Sequence, residues 1–282
     1  MPRPNSLGLM VLGDAMLDIV TEPETESADL EYMEVSISFQ VGGSGVHLAS
    51  AAADMGFAPV SLVCSLGADE AMANRTIKAA LRAKGISLVA NFVEDCRTGI
   101  TIIGYSPTGS RILMTEPGAN RNPLTDSVIA AACAALTDVV VVSGYMLFRS
   151  TTRNGTSEIM RQASRQGSLV VLDLVPHSLH QKMSLAELRS SLDFVDFVAG
   201  AFSTFTAFGI SIETLLSEVE GVLAYWPDGT YRFANRTESD VIGEFQDPIA
   251  PTTPRGMSER LLIWVLRNYV TSQVHLAGTL PG

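Results

Sequence analysis

Along the chain, short apolar runs alternate with stretches of helical character. Leu7 to Leu12 is apolar and stops at Gly13-Asp14, as a buried strand does when its C-terminal end opens into a site. Met33 to Val41 places Val35, Ile37 and Phe39 on one face and Ser36, Ser38 and Gln40 on the other, which predicts a half-buried strand. It runs into Gly42-Gly43-Ser44-Gly45, and the Ala-rich segment that follows predicts a helix ending at Gly56. Val60 to Leu66 reads as a strand and Ala71 to Lys84 as a helix stopped by Gly85, a βαβ pattern. Ile100 to Tyr105 and Arg111 to Thr115 flank a five-residue loop, Ser106 to Ser110, and predict a hairpin that joins Met33 to Val41 in a small separate sheet.

The second half is more regular. Strands are expected at Val139 to Ser143, Leu169 to Leu174 and Phe194 to Val198, with helices at Thr151 to Gln166 and Leu185 to Ser191. Val222 to Trp226 and Thr230 to Ala234 flank Pro227-Asp228-Gly229 as a second hairpin. After the proline-rich stretch Pro248 to Pro254, Ser258 to Val270 is an amphipathic helix with Ser258 as its expected cap. The alternation implies one α/β domain over residues 1–282: a mostly parallel sheet between helices, with its site at the strand C-termini.

Composition narrows the function. With 282 residues and 46% hydrophobic content the chain can bury a large core, and a net charge of −11 disfavours nucleic acid and anionic membrane surfaces as partners. Cys64, Cys96 and Cys133 lack CxxC spacing and read as reduced, mostly buried thiols of a cytoplasmic protein. The apolar run near the N-terminus is too short for a signal peptide or membrane span. Met55, Met72 and Met160 read as core filler and the two tryptophans, Trp226 and Trp264, as core or interface aromatics. Asp69-Glu70 with Asn74 reads as helix-start chemistry.

The candidate chemistry centres on the glycine turn. Three glycines in four residues let backbone approach a ligand closely, and the following helix N-terminus offers free N–H groups to its oxygens. The spacing is GGxG, so the dinucleotide fingerprint GxGxxG does not apply. In order along the chain, Gly13-Asp14 with Asp18, the run Gly42 to Ala49, Gly67-Ala68-Asp69-Glu70, Thr98-Gly99 with Arg111 and Gly118-Ala119-Asn120, and Asp173 with Pro176 together resemble the ribokinase-like (PfkB) carbohydrate kinases, which phosphorylate sugars and nucleosides. The similarity extends from residue 7 to about residue 178.

That resemblance implies a three-layer ribokinase-like fold with a small β-sheet lid, from residues near 32–41 and 98–116, closing over a sugar or nucleoside. It implies an acceptor pocket lined by Asp14, Asp18, Gly42, Gly43, His47 and Arg111. A carboxylate accepts two hydroxyl hydrogen bonds and a vicinal diol supplies two, which suits that role. His47 stands where the family usually carries Asn. Pairing of two lids into a homodimer is expected from their exposed strand edges.

The family's DTTGAGDAF-like anion hole and base are altered. Aligned on Thr252-Thr253, its glycines become Pro254 and Gly256, its alanine Arg255, and its catalytic Asp becomes Met257, which cannot take a proton. Proline also removes an N–H donor; each such loss costs about 3 kcal/mol, and loss of the general base about 10²–10⁴-fold in rate. The NxxE and TxG elements appear as Ala199-Gly200-Ala201-Phe202-Ser203 and Ala224-Tyr225-Trp226-Pro227. The expectation is therefore a family homologue that binds a small polyhydroxylated molecule with phosphotransfer lost or strongly impaired. The alternative is an active, divergent kinase that uses ATP and Mg²⁺ with Asp247 as base and Arg255 beside Gly256 on the phosphate side. Glu259 is set aside there, because two residues along a helix turn it about 200° from Met257. A non-kinase α/β enzyme is the third reading: His177 and His180 are spaced i, i+3, but no Cys or carboxylate completes zinc-site spacing, so no metal site is assigned. A GxSxG nucleophile elbow does not occur either.

Overall fold

A computed structural model describes residues 6–23, 34–68, 72–105, 111–176, 178–237, 240–246 and 256–277. Strand β1 (Leu9–Leu12) is wholly buried, as four consecutive apolar residues in a doubly covered parallel sheet must be. β2 (Met16–Pro23), β3 (Val35–Gly42), α1 (Ser44–Asp54), β4 (Val60–Gly67), α2 (Met72–Ala83), β5 (Ile86–Val93), β6 (Thr98–Tyr105) and β7 (Arg111–Gly118) follow. Next come α3 (Asp126–Ala134), β8 (Val139–Ser143), α4 (Tyr145–Phe148), α5 (Ser150–Arg165), β9 (Leu169–Asp173), α6 (Leu185–Leu192), β10 (Phe197–Ala201), α7 (Phe202–Phe208) and α8 (Ile212–Leu216). The chain closes with β11 (Gly221–Tyr225), β12 (Thr230–Asn235), β13 (Asp240–Glu244) and α9 (Met257–Ala277).

Nine strands form the main sheet in the order β13-β12-β11-β10-β9-β8-β1-β4-β5. From β11 to β5 every neighbouring pair is parallel, and β12 and β13 are added antiparallel at one edge. Alternate residues feed two cores. Leu9, Val11, Val141 and Val171 face α1, α2 and α9, where Leu48, Ile77 and Ile263 close the layer. Met10, Leu12, Val140 and Leu172 face the opposite layer, with Ile159 of α5, Leu188 of α6 and Phe205 of α7. This is the three-layer α/β arrangement expected.

A separate four-stranded sheet, β3-β2-β6-β7, stands apart from the main one. Its hairpin β6–β7 was expected. β2 was not, because Asp18 and Thr21 interrupt its apolar residues, yet it is the inner strand that joins β3 to the hairpin. β3 is not half-buried as its alternation predicted: Ile37 and Phe39 are 59% and 54% exposed. Several other expectations are also corrected. β10 begins at Phe197, three residues later than the apolar run suggested. Ser258 lies inside α9 and its hydroxyl bonds Glu259, so it is not the cap. Met72 is 46% exposed, on the outer side of α2, whereas Met55 and Met160 are core residues. Cys64 is fully buried but Cys96 and Cys133 are only partly so.

Candidate active site

The strand ends on one edge of the main sheet bring the predicted residues together. Gly13 ends the β1 segment against the start of α1 so tightly that a Cβ on Gly13 would lie 2.6 Å from the Cα of Gly45. Side chains at these two positions would push the helix off the strand, which is why the sequence keeps glycine at both. Gly43, at φ +93°, turns the chain into α1, and the N–H of Gly45 donates to the carbonyl of Asp14 (3.0 Å). The Ser44 and Ser143 hydroxyls, 2.8 Å apart and buried, tie α1 to the end of β8.

Asp14 and Asp18 are both buried, at 2% and 8% exposure. Asp18 sits on β2 opposite Gln40 and Thr101, beside Gly42, where a Cβ would collide with its carboxylate. Asp14, expected to line the acceptor pocket, is ion-paired within the protein. Its two oxygens accept a bidentate pair from Arg149, at 2.8 and 2.7 Å. The same guanidinium reaches the carbonyl of Asn120 and stacks against the rings of Tyr145 and Phe148, 5.3 and 5.2 Å from their centroids. Asn120 in turn donates to the carbonyls of Ala15 and Pro117, pinning the root of the small sheet to the end of β1. Sequence reading missed Arg149. The signal was there: a lone arginine closing the apolar stretch Tyr145 to Phe148 just past a strand end.

Thr98 and Asn74 form a structural pair. The Thr98 hydroxyl donates to the Asn74 side chain and accepts from the N–H of Gly67 (2.9 Å), while Asn74 donates to the Gly67 carbonyl (2.6 Å). Asn74 therefore holds the end of β4 to the start of α2. Cys64 lies under the site, where burial and then the Asp14 charge push its thiol up to about 12, making it inert.

His47 points toward the start of α9: a Cβ on Gly256, at φ +72°, would stand 3.8 Å from His47 Nδ1. Met257 packs against the apolar cluster beneath α9. Glu259 turns elsewhere, as the 200° rotation requires, but that direction is the sheet edge. Its charge acts on Asp173 at the end of β9, Tyr225 at the end of β11 and Tyr145 after β8. Asp173 is 2% exposed and its Oδ2 has no hydrogen-bond partner. Burial first, and Glu259 second, raise its carboxyl well above the usual range. Tyr225 is raised likewise by burial, then by Asp173 and Glu259. Beside them Phe202 and Trp226 stack with their ring centroids 4.8 Å apart.

Asp69-Glu70, His177, Asp247 and Arg255 lie outside the described residues, as does the side chain of Arg111. His180 packs edge-on to Phe208, remote from these strand ends. Among the described residues, no group of three or more His, Cys, Asp or Glu could hold a metal ion, and no helix is long and apolar enough to cross a membrane.

A doubly covered parallel sheet with a small second sheet rooted at the C-terminal end of its first strand defines the ribokinase fold. The chain belongs to the pfkB family of carbohydrate kinases, whose family model matches residues 7–218. A carbohydrate kinase from Agrobacterium tumefaciens superposes with a TM-score of 0.74 at 16% identity, over 94% of this chain and 84% of that one. The ribokinase of Arabidopsis thaliana, solved with ribose and ATP, superposes at 0.68 and 18% identity over 92% and 84%. A 5-dehydro-2-deoxygluconokinase from Photobacterium profundum is 27% identical over 171 residues, which are 60% of this chain. The match spans about half the length of that relative.

Proposed function

We propose that this pfkB-family protein binds a small polyhydroxylated molecule, a sugar or nucleoside, and that its phosphotransfer is lost or strongly impaired. The observation that carries this reading is the contrast between the two ends of the strand edge. On the small-sheet side, the Asp18 carboxylate lies against a side-chain-free Gly42, next to the α1 N-terminus, an arrangement suited to a vicinal diol. On the other side Asp173 and Glu259 set two carboxylates where a polyphosphate would have to lie, and Met257 stands where the family places its base. The charge of Glu259, beside a buried Asp173 whose neutral form is favoured, opposes a nucleotide rather than stabilising its transferring phosphoryl group.

Titration calorimetry with ATP and Mg²⁺, alongside a panel of sugars and nucleosides, tests the reading. The expected result is binding of a polyol that Asp18→Asn weakens about tenfold or more, with no measurable turnover. Micromolar ATP binding with phosphorylation of any panel member would sink it.

A second reading, an active kinase using ATP and Mg²⁺, is supported by Glu259, which puts a carboxylate at the edge although Met257 does not. In that case Glu259→Gln would abolish turnover while the fold stays intact. Asp247, the base suggested by sequence, is tested in parallel by Asp247→Asn.

A further inference from the structure

We propose that the acidic pair Asp173 and Glu259, flanked by Tyr145 and Tyr225, receives a primary ammonium group, so that the ligand of this site is an amine-bearing polyol rather than a neutral sugar. This rests on the polyol reading above and specifies its chemical class.

The four groups come from separate elements that converge on one layer. Asp173 pairs with Ser143 of β8 and Ala199 of β10, on the face of the sheet covered by α1 and α9. Glu259 is in the first turn of α9, over that face. Tyr225 ends β11, with Ser258 against its hydroxyl, and Tyr145 begins α4 just past β8. Asp173 is the critical member: a carboxylate 2% exposed, with Oδ2 unbonded, beside a second acid.

A buried acid beside a second one, with no counter-ion among the described residues, is costly, and proteins resolve that cost by protonation, by pairing or by a bound cation. Arg149, the guanidinium that acts on Tyr145, is committed to Asp14 through both of its terminal nitrogens. A divalent metal would ask for six or more oxygens and more carboxylates than the two present. An ammonium group asks for less: three donors can satisfy Asp173 Oδ2 and Glu259 together, with an aromatic ring alongside.

In the free protein burial and Glu259 both favour the neutral form of Asp173. Among the described residues, the charged groups acting on the cluster are Asp14 and Arg149, through Tyr145, with Glu259 itself. Binding then exchanges one cation for another: Asp173–COOH and R–NH₃⁺ give the ion pair and release one proton to solvent. No bond to the ligand forms, and charge balances. β9 is two strands from β1, about 10 Å away, so the amine belongs on a molecule of hexosamine length or longer that passes Tyr145.

The experiment is calorimetric titration of the full chain with D-glucosamine, D-glucose and N-acetyl-D-glucosamine, in two buffers of different ionisation enthalpy. D-glucosamine should bind roughly tenfold or more tightly than either uncharged sugar and release about one proton. Asp173→Asn and Glu259→Gln should each erase the preference; Glu259 is partly exposed, so its variant is expected to fold even if the buried one does not. If D-glucose binds equally well, with no proton release and with sensitivity to Asp18→Asn, the ammonium site is refuted and the polyol reading stands. If none of the three binds, both are refuted.

Discussion

Arg149 and Asp14 decide how the floor of the site is built. Both side chains are nearly buried, at 11% and 3% exposure, and removing one partner strands the other's charge. Arg149→Ala should therefore cost about 3–5 kcal/mol in urea unfolding, and adding Asp14→Asn should recover part of that loss. Additive losses, with the double variant losing the sum of the two single variants, would mean that the pair is not coupled. Asp173 makes the opposite contribution. Its folded carboxyl is raised, so it stabilises the protein only below the unfolded value of about 4, and that stability is lost as pH rises through the folded value. Asp173→Asn should thus raise Tm at pH 8 and lose the advantage toward pH 4, read by thermal melts across that range. Sequence reading placed Asp14, Asp18 and the glycine turn correctly at the strand edge, because each borders an apolar run. It did not foresee the Arg149 partner of Asp14, which lies 135 residues away, because no local pattern reports a long-range ion pair.

Elements with one consistent period were legible. The largely apolar strands β4, β8 and β9, and helices α2 and α5 with their buried stripes, appear within a few residues of expectation. β2 and β13 were missed for a common reason: they are stabilised by their neighbours in the sheet rather than by their own hydrophobicity. The α1 turn was legible for a stronger reason, since backbone contact at Gly13 and Gly45 admits no other residue. A Cβ on Gly45 would lie 2.6 Å from the carbonyl carbon of Gly13. Gly45→Ala should cost about 1–3 kcal/mol and weaken polyol binding by displacing the α1 N-terminus. A melt indistinguishable from wild type would show that the helix can shift freely.

At the scale of the whole molecule, the outer face of the small sheet is the exception to a well-covered fold. The cross-strand rows Phe39, Ile19, Ile102, Met114 and Ile37, Thr21, Gly104, Ile112 lie on one face, and five of these apolar residues are more than a third exposed. We propose that a second copy of the chain covers this face, as the exposed strand edges also suggest. Ile112→Glu should convert a dimer into a monomer in light scattering at micromolar concentration; a monomeric wild type would remove the idea. The family resemblance divides along the same chain: the match ends at residue 218, before β11, and Met257 and Glu259 lie beyond it.

The mutual cancellation of Arg149 and Asp14 has one more consequence. Because the guanidinium and the carboxylate offset each other, this salt-bridged couple adds little net charge midway along the strand edge. Neutralising either partner alone would leave an unbalanced charge felt by Tyr145, on which both already act.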